Sequence, residues 1–226
     1  MRKIIIAGSE GLIGKEVCSY FEKKACEIVK LDLSLGSDLN NEFFVHEFFQ
    51  ENKADYLVNL FALNDHVDVD KKTDNLFDIT LSSFEEYLKV NVISLFSVCR
   101  EFARNNKGGS IVNFSSTYGL TSPLPHLYDG KNEKHIGYGV SKSAVVQLTK
   151  HLATHLAPNF RVNCIAPGGV KFKQDDEFIK NYSEHTPMGR MMNVSELNGL
   201  IDYLCSEASS YMTGETISVD GGWTKW

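Results

Sequence analysis

The sequence predicts an α/β fold, a doubly wound parallel sheet with helices on both faces. Three observations carry that expectation. Short β-rich runs alternate with helix-period stretches along the chain, the pattern of successive βαβ units. The first run, Ile4 to Ala7, empties into a glycine turn and then an amphipathic stretch marked by Val17, Cys18 and Phe21. No repeat, low-complexity tract or linker interrupts the series, so residues 1–226 read as a single domain.

The 226 residues are 42% hydrophobic, enough for one sizeable core without disulfides or a metal. Five cysteines (Cys18, Cys26, Cys99, Cys164, Cys205) are odd in number and fall in no ligand spacing, so reduced, buried thiols and no metal site are expected. No apolar run approaches the roughly 18 residues of a membrane span. Met1-Arg2-Lys3 leads straight into a strand without a signal-peptide pattern, and a cytoplasmic protein is expected. A net charge of −6 without a basic stripe speaks against nucleic acid or anionic membrane as a partner.

In the first turn Gly8, Gly11 and Gly14 enclose Glu10, Leu12 and Ile13. Such a loop turns tightly, lets backbone approach a pyrophosphate and aims the amides of the following helix at that anion. The second strand, Glu27 to Leu31, ends at Asp32, 18 residues after Gly14. A carboxylate there can bond both hydroxyls of an adenosine ribose and repel a 2'-phosphate. With Glu10 also in the loop, NAD is favoured over NADP; taken alone, Asp32 reads equally as a solvated strand end. Asp38 and Leu39 follow in a turn that can lie along the adenine edge.

Phe43 to Gln50 reads as a helix with Phe44, Val45, Phe48 and Phe49 on its core side, and Asp55 to Leu60 as a buried strand carrying the polar Asn59. Residues 63–81 are polar and aperiodic, a loop over the mouth of a site. Ser82 or Ser83 can cap a long helix through Phe84, Tyr87, Leu88, Val92, Leu95, Phe96, Cys99 and Phe102. Asn91 lies on its apolar face and needs a hydrogen-bond partner, either as a structural member or as a water holder. Gly108-Gly109 closes the helix, and the strand Ser110 to Phe114 delivers Ser115 and Ser116 to its carboxyl end. The 21 residues between Ser116 and Tyr138, including His126, Tyr128, Asp129, Lys131 and His135, are too polar for core and too long for a connector. A helix from Tyr138 to Leu156, a strand from Arg161 to Ala166 and the turn Pro167-Gly168-Gly169-Val170 follow. Lys171 to Met192, with a short helical piece around Phe178, Ile179 and Tyr182, reads as a lid. A helix from Val194 to Ser206 and a strand from Thr216 to Val219 complete the chain.

Tyr138 and Lys142 head the helix that continues through Val145, Leu148, Leu152 and Leu156, one turn apart on one face. A Lys ammonium about 5 Å from a phenol, at an effective dielectric near 20, favours the tyrosinate by roughly 3 kcal/mol. At about 1.4 kcal/mol per unit, the phenol would titrate at roughly 7 or 8, where acid/base catalysis is efficient. A pair of this spacing standing alone is more often an ordinary helix surface.

The ordered set of Gly8, Gly11 and Gly14, Asp32, Asp38-Leu39, Asn59, Asn91, Ser115-Ser116, Tyr138 with Lys142, Arg161-Val162-Asn163, Pro167-Gly168 and Thr213-Gly214 through Asp220-Gly221-Gly222 resembles the short-chain dehydrogenase/reductase family, over nearly the whole chain. The resemblance implies a Rossmann-type dinucleotide fold and an oxidoreductase acting on alcohols and ketones. Tyr138 would be its general acid/base, and Lys142 would lower the phenol's pKa and bond the nicotinamide ribose. Ser116, rather than Ser115, would hold the substrate oxygen. Asn91 would anchor a water leading to Lys142, Asn59 and Pro167-Gly168 would border the dinucleotide, and Val170 would meet its carboxamide. The resemblance also implies a homo-oligomer, dimer or tetramer, for which the helical stretches at 84–106 and 138–156 are available. The glycine spacing follows the larger sugar-modifying branch of that family. Asn59-Leu60-Phe61-Ala62 stands where Asn-Asn-Ala-Gly is usual, and the segment after Ser116 is longer than usual. The motifs from Ser116 to Gly169 look like bacterial oxidoreductases of surface-sugar and nonulosonic-acid pathways. A small polar substrate fits that likeness, with His126, Asp129, Lys131 and His135 as contacts or as a solvated loop. An NADPH-dependent reductase of acyl-type carbonyls is the alternative enzyme, and a dinucleotide-binding sensor or scaffold the alternative without catalysis.

Overall fold

The computed structural model describes residues 1–64, 76–128 and 134–226, with His126 and Tyr128 described by backbone alone. The expected Asp129 and Lys131 contacts and most of the 63–81 loop, His66 included, lie outside the described residues. The strands are β1 (Lys3–Ala7), β2 (Glu27–Leu31), β3 (Tyr56–Asn59), β4 (Gly109–Phe114), β5 (Phe160–Pro167) and β6 (Thr216–Val219). They form one parallel sheet in the order β2-β1-β3-β4-β5-β6. Between them run α1 (Leu12–Lys23), α2 (Glu42–Glu51), α3 (Leu81–Leu88), α4 (Leu95–Asn105), α5 (Ile136–Leu156), α6 (Asp176–His185) and α7 (Asn198–Leu204). No helix among the described residues is long and apolar enough to cross a membrane.

Successive strand residues feed two separate cores. Ile5 and Ala7 of β1, Leu57 of β3, Ile111 of β4 and Val162 of β5 meet Val45 and Phe49 of α2, Val98 and Phe102 of α4 and Val145 of α5. Ile4, Ile6, Val58, Val112 and Ile165 point the other way, onto Val17 and Phe21 of α1 and Ile201 and Leu204 of α7. This is why the strands read as unbroken apolar runs rather than alternating ones: both faces of a parallel sheet are covered. Each of these Val, Leu, Ile and Phe side chains contributes about 1.5–3 kcal/mol by leaving water. The chain leaves β1 for β2 on one side and returns to β3 on the other, which opens a crevice at the carboxyl ends where the direction switches.

The expected single helix after residue 80 is instead α3 and α4 joined by a π-helical segment, Lys89–Ser94. Its cap is Thr80, whose hydroxyl accepts the Ser83 amide at 3.2 Å, rather than Ser82 or Ser83. A π turn widens the helix and leaves carbonyls without their usual donors. Here the Ser94 hydroxyl donates to Lys89 O at 3.0 Å, and the widened turn carries Asn91.

The long connector after Ser116 is also partly core. Leu127, 3% exposed, packs with Tyr182, Met191 and Trp223, and Leu124 joins them. Tyr182 of α6 stacks on Trp223 with centroids 4.3 Å apart, and its hydroxyl accepts the Gly169 amide at 2.5 Å. Thus α6, the helical piece of the expected lid, is anchored to the turn after β5.

Candidate active site

The glycine turn is set by backbone contact. Gly8 has φ +84, and a β-carbon there would sit 2.5 Å from Phe61 N; at Gly14 it would sit 2.1 Å from Gly8 O. At Gly11 the same construction gives an ordinary 3.4 Å contact, so Gly8 and Gly14 are the positions that exclude a side chain. Helix α1 starts at Leu12 with Gly11 as a cap that offers no side-chain acceptor. The first-turn amides of Leu12, Ile13 and Gly14 thus have no side-chain cap, the kind of helix end that can receive a phosphate group.

Asp32 stands beside this turn and is pre-oriented by it. One carboxylate oxygen accepts the Glu10 amide at 3.0 Å, and the other accepts the Ser34 amide at 2.9 Å and the Ser34 hydroxyl at 2.7 Å. Partial burial pushes the carboxyl up, but the Ser34 and Glu10 donors outweigh it and hold the group below its ordinary value. Lys15, the cation that reaches Asp32, is paired with Glu10 at 3.7 Å. Asp38 is exposed and accepts the Asn40 amide at 2.9 Å.

Two expected cofactor contacts are corrected by burial. Leu39 is 8% exposed within the α2–α4 core, so its side chain is taken up by packing. Asn59, 2% exposed, turns inward and donates to Asn113 Oδ1 at 2.9 Å, while Asn113 donates to Thr149 Oγ1 at 3.0 Å. Asn59 therefore ties β3 to β4 beneath the crevice rather than lining it.

The catalytic candidates converge where β4 ends against α5. His135 caps α5, accepting the Gly137 amide at 3.0 Å, meets the Ser83 hydroxyl at 3.2 Å and stacks on Tyr87 at 4.5 Å. Its expected role as a substrate contact gives way to this structural one. The Lys142 ammonium donates to Phe114 O at 2.9 Å, and Ser115 Oγ donates to Lys142 O at 2.7 Å. Ser115 is thereby committed to packing, whereas Ser116 lies close enough to the Tyr138 phenol to pull its pKa down and accepts the Tyr118 amide at 3.1 Å.

The expected tyrosinate is not what this packing favours within the chain itself. Tyr138 is 8% exposed, and burial raises its pKa against the opposing pull of nearby Ser116. Lys142, 4% exposed, is lowered to about 8, chiefly by burial and further by Lys134. Its nitrogen lies 5.9 Å from the Tyr138 ring centroid. Both groups resist ionisation because little water reaches either, a cost the sequence-based argument, with its watery effective dielectric, left out.

Asn91 is more fully occupied than expected. Its Oδ1 accepts the Leu63 amide at 2.7 Å, and its Nδ2 donates to Leu63 O at 3.0 Å and to Ser141 Oγ at 2.9 Å. The expected water anchor is therefore corrected for its side chain, which clamps the segment after β3 onto α5. After β5, Pro167 is buried and Gly168 donates to Val219 O at 2.8 Å, while Val170 O accepts the Gln174 side chain at 2.9 Å.

Sequence reasoning missed Lys134 and Asn64. The Lys134 ammonium lies 4.5 Å from the Tyr138 ring centroid and bonds Asn64 Oδ1. The available signal was spacing, since Lys134 precedes Tyr138 by the same four residues by which Lys142 follows it.

Comparison with known proteins agrees with this geometry. A family profile described as Enoyl-(Acyl carrier protein) reductase matches residues 9–224. A 3-oxoacyl-[acyl-carrier-protein] reductase FabG of Aquifex aeolicus is 32% identical over 232 residues, covering 97% of this chain and 86% of the relative. A glucose 1-dehydrogenase of Gluconobacter oxydans is 36% identical over 158 residues, covering 65% of this chain and 56% of the relative. A short-chain dehydrogenase of Leptospira borgpetersenii, solved with bound NAD+, superimposes with a TM-score of 0.87 at 29% identity, covering 99% of this chain and 92% of that one. Fold and family match together indicate an oxidoreductase, consistent with action on CH–OH groups, of a kind that binds a nicotinamide dinucleotide. The chain belongs to the short-chain dehydrogenase/reductase family.

The buried ammonium gives a stability prediction with a definite sign. Lys142 binds its proton less well folded than unfolded, so the unfolded chain holds more protons between about pH 8 and the ordinary lysine value, and stability rises with pH there. The cost of the buried charge is present below pH 8. Substitution Lys142→Met removes it, and the variant's stability relative to wild type should fall by about 3 kcal/mol between pH 7 and pH 10.5. Denaturant titrations at both pH values check this; an unchanged difference contradicts the assignment.

Proposed function

We propose that the protein is an NAD-dependent oxidoreductase that interconverts an alcohol and a ketone on a small polar, sugar-derived substrate. The observation that carries the reading is the convergence of Ser116, Tyr138 and Lys142 at the carboxyl edge of β4, in the same crevice as the glycine turn and Asp32. The chain's groups suit a dinucleotide: a backbone cradle that a β-carbon would fill at Gly8 and Gly14, amides at the head of α1 for the pyrophosphate, and a pre-oriented carboxylate for the ribose hydroxyls. When bound, that cofactor supplies the two-electron acceptor or donor.

The chain's own residues then handle orientation and the proton. Gly8, Glu10, Gly11, Leu12, Ile13 and Gly14 shape the pyrophosphate turn, and Asp32 with the Asp38–Leu39 backbone borders the adenosine. Pro167, Gly168 and Val170 present backbone groups to the carboxamide. Ser116 holds the substrate oxygen beside the phenol. In oxidation Tyr138 takes the hydroxyl proton, and in reduction its phenol returns it. Lys142 steadies the phenolate and has a ribose hydroxyl as its natural second acceptor.

Asp32 and Glu10 support NAD, because a 2'-phosphate would meet two carboxylates. The relative named as a glucose 1-dehydrogenase supports a polyhydroxylated substrate. The relative named as a 3-oxoacyl reductase favours the second reading, an NADPH-dependent reduction of acyl-type carbonyls, and it matches nearly all of this chain. Small-molecule turnover in the cytoplasm by a homo-oligomer completes the proposal; Phe96 of α4, 41% exposed, supports helix pairing between copies.

Two measurements test it. Tyr138→Phe should keep the fold and dinucleotide affinity while lowering turnover on a sugar and polyol panel by a factor of at least about 100, within the range assigned to a lost acid/base group. Retention of most turnover would refute the role of Tyr138. Calorimetric titration should show NADH binding at least tenfold more tightly than NADPH, with Asp32→Ala narrowing the gap; tighter NADPH binding by wild type would favour the acyl-reductase reading.

A further inference from the structure

Among the described residues, the polar and titratable groups around the Tyr138 phenol come from three elements. Ser116, after β4, lies near enough to the phenol to lower its pKa. Lys142 of α5 lies 5.9 Å from the ring centroid, with Cys164 of β5 behind it, its thiol pushed up to about 11 and hence neutral. Lys134, just before α5, lies nearer, at 4.5 Å. His135 is turned away onto Tyr87 and Ser83.

The position of Lys134 is set by a closed chain of bonds. Asn91 grips both the amide and the carbonyl of Leu63 and donates to Ser141, which donates to Tyr138 O at 2.8 Å. The residue after Leu63, Asn64, accepts the Lys134 ammonium. The cation is thus held to the same helix turn that carries the phenol. The Lys134 side chain is half-buried and keeps more hydration than the enclosed Lys142. A cation over an aromatic face is attracted to the ring, and more strongly once the ring bears an anion.

We propose that Lys134 is a positioning residue for catalysis: held over the ring by Asn64, its positive charge stabilises the phenolate form of Tyr138. The proposal deepens the reading of Tyr138 as the acid/base and rests on it. It makes the proton-transfer group answer to two cations, one buried and one at the mouth, rather than to Lys142 alone.

The test compares Lys134→Gln with Lys134→Arg in full-length protein labelled with [13Cζ]tyrosine, the Tyr138 signal being assigned by its absence in Tyr138→Phe. Arginine stays charged throughout an alkaline titration and glutamine carries no charge. The Tyr138 midpoint should lie about one pH unit higher in the Gln variant than in the Arg variant, a tenfold change in the ionisation constant. Equal midpoints overturn the proposal. If the Gln variant does not fold, Lys134→Met takes its place as the uncharged member of the pair; a higher midpoint than that of Arg supports the proposal, and an equal one overturns it. Turnover retained by Tyr138→Phe would sink the acid/base reading while leaving this electrostatic result intact, so the two failures are distinguishable.

Discussion

The site depends on one buried hydrogen bond, from the Lys142 ammonium to the Phe114 carbonyl. An ammonium enclosed by protein is costly unless its protons find acceptors, and this acceptor is the last carbonyl of β4. The bond therefore fixes α5 against the strand end in a single register. Ser115 reinforces it from the other direction by donating to Lys142 O, and Ser143 donates to Gly119 O at 2.9 Å. With helix and strand end locked together, Ser116 has one place to be, against the Tyr138 phenol. Replacing the lysine with an apolar residue would relieve the burial cost yet remove the reason for this register, which is how a destabilising charge becomes a feature of function.

The second constraint is backbone against backbone. Gly8 and Gly14 let β1, the turn and α1 approach closely, with Gly8 N donating to Leu31 O at 2.7 Å. Glu10 then ties the turn to Asp32, so the head of α1 and the Asp32 carboxylate are coupled through one hydrogen bond. Asn91 does the same for the far wall, pairing with Leu63 as a neighbouring strand would. The crevice thus has rigid sides assembled from short-range contacts, while its polarity comes from a few side chains at strand ends.

Much of this was legible because the signals are local. The six strands appear as apolar runs, the glycine turn as strand, glycines and helix, and Tyr138 with Lys142 as one helical turn. What escaped was non-local. Nothing near Leu127 in sequence says that Tyr182, Met191 and Trp223 will cover it, so a stretch with polar neighbours was read as wall rather than core. Asn59 looks like a site residue until Asn113 and Thr149, from β4 and α5, arrive beneath it. His135 looked available for substrate because its partners, Ser83 and Tyr87, lie some fifty residues upstream. The Tyr138–Lys142 electrostatics were misjudged for a related reason: helical spacing gives the distance between two groups, whereas desolvation depends on everything else that packs around them.

The claim most open to direct measurement is that the Lys142 charge is held out of water beneath the phenol. Titration of the Lys142 side chain by NMR in selectively 13Cε-labelled protein, assigned through Lys142→Met, should give a midpoint near pH 8. A midpoint at the ordinary lysine value near 10.4 would mean a hydrated ammonium and would contradict the packing that this account places at the centre of the site.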